Sequence, residues 1–393
     1  MKTREEIRQE IIDLKRKFML LALPTGLGKS KIALDVVFNR GPLLPKVLIV
    51  YPKVNLKKNW IEEIKKWGYE AHLSDISFTT YNSLHKFAGE DWDAVIFDEG
   101  HHITERVLDI IKCMKIHSAL VLSATVKPSL RYRLEIVFPG MYNYRVKMKD
   151  AIDSEILPDP RIVLFPMTLS VVGQTETIIK NPKAEREVLV EFNKRFMCKD
   201  KNTKYIIPCT EAQYLLDLDS QIEWFKTKVT NGSQSMKNIW LHKAGERLKW
   251  LAAKKNKFVI ELLKVLQSER TLTFCTSIEQ TKDLGSSCIH SKNKDALAIL
   301  DKFNEGKINH ITAVAMLDEG INLVDCRVGI FANINSSERI QIQRLGRLLR
   351  HKNPIIIIPY FKNSREQEII DEMLAGYNPE LIVTYESISD LQL

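Results

Sequence analysis

The chain has 393 residues, 45% hydrophobic and 27% charged, which is enough for two or three domains with real cores. Lys and Arg exceed Asp and Glu by 58 to 49, and the resulting +9 is compatible with a nucleic-acid partner without establishing one. Recurrent apolar runs exclude disorder as the dominant state, and six scattered cysteines with no C-x-x-C spacing argue against a disulfide framework or zinc site.

The longest apolar runs, Phe18–Pro24 and Pro354–Tyr360, are far shorter than the roughly 20 residues of a membrane-spanning helix. Glu5, Glu6 and Glu10 stand where a secretory signal lacks acids, so the expectation is a soluble cytoplasmic protein.

Met19–Leu23 reads as the first buried strand. After it comes Pro24-Thr25-Gly26-Leu27-Gly28-Lys29-Ser30, leading into a helix over Lys29–Val37. A loop of this kind wraps phosphates with backbone N–H groups at a helix N-terminus. Gly26 and Gly28 permit the tight backbone, Lys29 neutralises β/γ-phosphate charge, and Ser30 offers a hydroxyl to Mg²⁺.

Val47–Tyr51 is the next strand, then a helix over Asn55–Trp67 with Leu56, Trp60, Ile64 and Trp67 at helical spacing. Strands follow at Ile76–Thr80, Ala94–Phe97 and Ala119–Leu122, and this alternation predicts a parallel, doubly wound sheet. Asp98-Glu99-Gly100-His101 directly follows one of these strands. A carboxylate there is placed to hold Mg²⁺ at the first loop, so Asp98 is read as the metal residue and Glu99 as the group polarising the attacking water.

Past Pro158, Pro160 and Pro166 the character changes. Between Thr175 and Ile260 there are 17 Lys/Arg against 10 Asp/Glu, with few strand signals and predicted helices over Ala184–Phe196 and Ala212–Lys226. This reads as a basic helical insertion, either a solvated subdomain or a clamp or wedge. Trp224, Trp240 and Trp250 in it either fill a small core or stack bases. Strands return at Thr271–Cys275, Ile311–Met316, Val328–Ile334 and Ile355–Phe361, making a second α/β block. Within it Arg344, Arg347 and Arg350 recur every three residues, with no Asp or Glu from Ile340 to Arg365. Guanidinium groups so placed want an anion, and a γ-phosphate held by the first block would supply it.

Taken in order from Leu23 to Arg350, these features resemble superfamily 2 helicases and translocases. The phosphate loop matches motif I, the Asp98–His101 tetrad motif II, Ser123-Ala124-Thr125 motif III, and Gln343-Arg344-x-Gly346-Arg347-x-x-Arg350 motif VI. Leu317–Asn322 resembles motif V, Val47–Trp60 motif Ia and Thr273–Ser277 motif IV, while Thr79-Thr80-Tyr81 is similar to a nucleic-acid motif.

The resemblance implies an α/β protein of two RecA-like parallel-sheet P-loop lobes, over 1–150 and 151–393, the second interrupted by a helical insertion at about 170–245. It implies ATP and Mg²⁺ as substrate and cofactor. It puts Lys29, Glu99, Gln343, Arg347 and Arg350 in catalysis. It puts Pro24 to Ser30, Gly320, Asn322 and Gln9 at the nucleotide, and makes His101, Ser123 and Thr125 the coupling residues. Nucleic-acid contacts would come from Pro52, Lys53, Thr80, Tyr81, Thr276, Ser277 and His290, His290 being equally readable as a surface histidine.

The DEGH form is similar to DNA repair, restriction-subunit and phage recombination helicases, so the expected partner is single-stranded, forked or branched DNA. RNA remains an alternative, as does an ATP-gated binding switch without translocation. A monomer without zinc or membrane contact is expected, located in the host cytoplasm if phage-encoded.

Overall fold

The computed structural model describes residues 2–39, 45–54, 56–124, 126–180, 205–285, 287–314, 323–332, 334, 351–375 and 377–392. The first lobe begins with α1 (Arg4–Asp13), whose N-terminus is closed by a capping box between Thr3 and Glu6. Then come β1 (Phe18–Ala22), α2 (Lys29–Phe38), β2 (Val47–Tyr51), α3 (Leu56–Lys66) and β3 (Ile76–Thr80). A two-residue strand β4 (Asp91–Trp92), β5 (Ala94–Phe97), α4 (Glu105–Lys112), a short β6 (Lys115–Ile116), β7 (Ala119–Ser123), α5 (Pro128–Val137), β8 (Tyr142–Arg145) and α6 (Met148–Asp153) complete it.

Six of these strands form a sheet in the order β3-β2-β5-β7-β1-β8, every pair parallel. Successive strand residues face opposite sides. Met19, Leu21, Ile49 and Ile96 join Ile7 and Ile11 of α1 and Trp60 of α3 in one core, while Leu20, Val50, Phe97 and Val121 join Leu108 of α4 and Leu134 of α5 in another. Helices on both faces are what continuous apolar strands require.

The second lobe contains β9 (Arg161–Met167), β10 (Glu176–Lys180), β11 (Tyr205–Cys209), α7 (Glu211–Thr230), α8 (Lys237–Lys254) and α9 (Asn256–Val265). It continues with β12 (Thr271–Phe274), α10 (Ile278–Leu284), β13 (Cys288–Ile289), α11 (Ala296–Asn304), β14 (His310–Ala313), β15 (Val328–Phe331), β16 (Ile355–Phe361), α12 (Arg365–Leu374) and β17 (Ile382–Thr384). Seven strands form an all-parallel sheet in the order β13-β14-β12-β15-β16-β9-β17.

The structure adds strands that the sequence reading lacks, among them β8, β9, β10, β11, β13 and β17. The proline-marked segment contains β9, paired along its length with β16. Pro166 is tolerated because β17 reaches only Ile162–Leu164 on the other side, so its missing N–H breaks no ladder there. The middle region contains an antiparallel hairpin of β10 with β11 as well as helices. The helix expected over Ala212–Lys226 is α7, while Ala184–Phe196 lies outside the described residues. Among the described residues no helix is long and apolar enough to cross a membrane.

A fully buried ion pair ties the α8–α9 junction to β16 and α12. Lys255 Nζ, at the α8–α9 junction, lies 2.5 Å from Glu366 Oε1 and 3.3 Å from the carbonyl of Pro359, while Glu366 Oε2 accepts from Phe361 N.

Candidate functional site

Because every main-sheet strand in each lobe is parallel, all carboxyl ends fall on one edge, and the loops beyond them meet there. β1 feeds the phosphate loop, whose entry is held to the sheet by Leu23 N donating to Ser123 O at 2.9 Å. Gly26 and Gly28 have φ of 94° and 89°, left-handed backbone that favours glycine. Gly28 caps α2 without any side-chain bond, so the helix presents its first N–H groups to the loop's concavity.

Pro24, Thr25 and Leu27 are buried, whereas Ser30 is half-buried. The Thr25 hydroxyl and Lys29 Nζ are buried without a hydrogen-bond partner, although Glu99 Oε1 lies 3.7 Å from Nζ. A buried ammonium poised in this way fits a phosphate.

The acidic loop leaves β5 with Asp98 N bonded to Val50 O at 2.8 Å. Trp60 Nε1 donates to Asp98 Oδ2 at 3.0 Å, and Glu99 N donates to Oδ1 at 2.9 Å. Glu99 turns the chain with φ of 48° into a short 3-10 turn over Gly100–His102. His101 Nδ1 lies 3.3 Å from Ser123 Oγ and 3.4 Å from Glu99 Oε2, so one imidazole bridges the acidic loop and the end of β7. Burial first, then the neighbouring Glu99 carboxylate, pushes Asp98 up to about 6, against the opposing pull of Lys29 and Trp60.

Two adjacent carboxylates held against burial suit a divalent cation. Among the described residues there is no cluster of three or more His, Cys, Asp or Glu that would cage a metal.

Tyr81, expected at nucleic acid, is buried and donates its hydroxyl to the Asp98 carbonyl at 2.8 Å, bracing the acidic loop from behind. Trp60 and Tyr81 thus act on Asp98 from positions that helical spacing and motif matching do not connect with it.

A cleft of about 420 Å³ opens beside the phosphate loop. Arg4, Gly26, Glu155, Ile156 and Pro158 line it together with His351 and Lys352 of the second lobe. Arg4 donates to the Ile156 carbonyl at 3.0 Å, tying α1 to the segment between the lobes. Gln9, read as a nucleotide residue, is instead exposed and donates to Asp13 Oδ1 at 2.9 Å. Its amide sits on the outer face of α1, and Arg4 is the α1 side chain at the cleft. Thr125, Gly320, Asn322, Gln343, Arg347 and Arg350 lie outside the described residues.

The remaining candidates occupy the same carboxyl edges. Pro52 and exposed Lys53 follow β2, and Thr80 ends β3. Thr276 follows β12 with its hydroxyl buried and unpartnered, while Ser277 caps α10 by accepting from Gln280 N at 3.2 Å. His290 follows β13, is buried rather than on the surface, and leaves Nδ1 unpartnered.

Residues 2–128 match the family described as the type III restriction enzyme res subunit, and residues 254–352 match the helicase conserved C-terminal domain. The chain is 24% identical over 363 residues to the DNA 3'-5' translocase XPB2 of Sulfurisphaera tokodaii, covering 86% of this chain and 76% of that protein. In fold it is similar to the Pyrococcus furiosus Hef helicase domain, with a TM-score of 0.51, 14% identity and coverage of 94% of this chain and 97% of the other. It is likewise similar to S. cerevisiae Dbp5 bound to RNA and ADP BeF3, with a TM-score of 0.60, 11% identity and coverage of 98% and 89%.

Proposed function

We propose that this chain is a superfamily 2 ATP hydrolase with two RecA-like lobes that couples hydrolysis to movement along DNA. The observation that carries this reading is the chain of contacts from Lys29 through Glu99 and His101 to Ser123, beside a phosphate loop whose Gly26 lines a cleft shared with His351 and Lys352.

In this reading the lobes divide at about residue 150, with residues 170–245 inserted in the second. Lys29 and the N–H groups of 26–30 bind the phosphates, and Glu99 orients the attacking water. Ser30 and Asp98 would hold Mg²⁺, which would offset phosphate charge and polarise the γ-phosphoryl group.

His101, touching both Glu99 and Ser123, senses whether the phosphate end of the site is filled and passes that state to the end of β7. His351 is the covalent neighbour of Arg350 and lines the cleft. By the motif match, Arg347 and Arg350 are the cations that close onto the γ-phosphate, and Gln343 belongs to the same catalytic set. Gly320 and Asn322 would complete the second lobe's side of the site. Strand contacts fall to Lys53, Thr80, Thr276, Ser277 and His290, mostly through phosphates, and so without sequence preference.

DNA is favoured over RNA because a relative matched across both lobes is named as a DNA translocase, and its 3'-5' direction is the direction proposed here. An RNA track is the second reading, supported by the fold shared with an RNA-bound protein.

Lys29→Ala tests the proposal. It is expected to lower ATP turnover at least about a hundredfold, while salt-sensitive DNA binding persists. Turnover by the wild type should rise with single-stranded or forked DNA and exceed that with RNA. Normal turnover in Lys29→Ala would overturn the phosphate site, and turnover indifferent to every nucleic acid would overturn the motor.

A further inference from the structure

None of the insertion's described residues lines the cleft beside the phosphate loop, yet its outer surface has a pattern of its own. α7 packs inward through Leu215, Leu218 and Ile222. Nine residues on from Leu215, about two and a half helical turns, Trp224 faces away from that core. It is 54% exposed, the most exposed of the six tryptophans.

Leu216, Ser220, Trp224 and Lys228 succeed one another at i+4 and form a ridge about 18 Å long. Lys228 Nζ lies 5.4 Å from the Trp224 ring centroid, and Phe225 braces the indole edge-on at 4.8 Å.

Charge defines what this ridge can meet. Lys226 pairs with Glu223 and Lys243 with Glu246, but among the described residues Lys228 and Lys237 have no carboxylate partner. Trp250, by contrast, is packed against Tyr214 and donates to Glu176, so it belongs to the hairpin's base.

That base is locked. Lys254 bridges Glu176 and Glu211 at 2.5 and 2.7 Å, Arg247 pairs with Asp219, and Lys255 is bound to Glu366. The α7–α8 hairpin is therefore an arm fixed at its root, with Trp224 and Lys228 roughly 20–25 Å out along α7 and Lys237 at the start of α8.

We propose that this ridge is a contact surface for unpaired nucleic acid, with Trp224 stacking a base and Lys228 and Lys237 taking flanking phosphates. It rests on the nucleic-acid motor reading above and adds the element of the second lobe that grips a strand outside the motif-bearing edge. A half-exposed indole offers a face to any base, and cations beside it complement phosphate, whereas an apolar protein partner would have to desolvate both lysines.

The test uses the full chain and a single strand carrying 2-aminopurine, against a blunt duplex of the same composition. Trp224→Ala is expected to weaken single-strand binding about five- to a hundredfold, to abolish 2-aminopurine quenching, and to leave duplex affinity and turnover without nucleic acid unchanged. Trp224→Phe should retain most of the affinity. Lys228→Ala should reduce the salt slope by about one.

Equal losses on single strand and duplex, or none on either, would overturn the ridge as a stacking surface. If the wild type binds no nucleic acid, the motor reading fails and takes the ridge with it. If DNA stimulates the wild type and Trp224→Ala alike with equal affinity, the ridge alone fails.

Discussion

Gly100 is the residue at which packing and catalysis meet most tightly. A Cβ at this position would stand 2.3 Å from Val121 Cγ1 and 3.5 Å from the carbonyl oxygen of Leu122. Carbon atoms rest about 3.5–4.0 Å apart, so Gly100→Ala overlaps Val121 by more than 1 Å. Val121 is fully buried in β7 and β-branched, which leaves it few rotamers with which to yield. The loop must lift instead.

Overpacking of this kind costs about 1–3 kcal/mol. The same shift moves Glu99 relative to Lys29 and His101 relative to Ser123, and a displacement of about 1 Å at reacting groups costs on the order of a hundredfold in rate. Gly100→Ala is thus expected to lower the urea midpoint at constant m and to cut kcat on that scale, with ATP still bound. Adding Val121→Ala should restore part of both, with a coupling energy of at least about 1 kcal/mol. A Gly100→Ala protein with wild-type midpoint and turnover would refute the argument.

Lys255→Met leaves Glu366 buried and unpaired, and should cost about 3–5 kcal/mol in urea unfolding. The double variant Lys255→Met, Glu366→Gln should recover most of that loss, because a neutral side chain can still accept from Phe361 N. His310, whose Nε2 lies 3.1 Å from Thr273 Oγ1, is pushed by burial from its ordinary 6.5 down to about 4. Above pH 6.5 neither folded nor unfolded chain holds that proton. As pH falls toward 4 only the unfolded chain takes it up, so stability drops by up to about 3 kcal/mol. His310→Gln should flatten unfolding midpoints across that window, and an unchanged pH profile would remove His310 as the cause.

Much of the fold could be read locally because its signals are local. The strands at Val47–Tyr51, Ile76–Thr80 and Ala94–Phe97 are short apolar runs between punctuated helices, and the structure has them at those bounds. The phosphate loop and acidic tetrad are legible because backbone geometry and charge over a few residues suffice to define them. β9 was hidden by its prolines, since whether Pro166 breaks a ladder depends on how far β17 reaches. Tyr81 carried a motif's signature, but its hydroxyl is spent on Asp98, 17 positions away.

Composition and periodicity by themselves determined two α/β blocks, whereas the phosphate loop, the metal-binding carboxylate and the basic insertion were expectations drawn from short motifs and charge counts. Only the tertiary structure decided which groups meet across the chain. It brings Arg4 rather than Gln9 to the cleft, through a bond spanning 152 positions, and sets Trp60 on Asp98 across 38. It also separates Trp224, on the solvent side of α7, from Trp250 in the hairpin's base. Sequence spacing reports which residues share a face of one element. What lies opposite that face is set by long-range packing, whose partners no local period encodes.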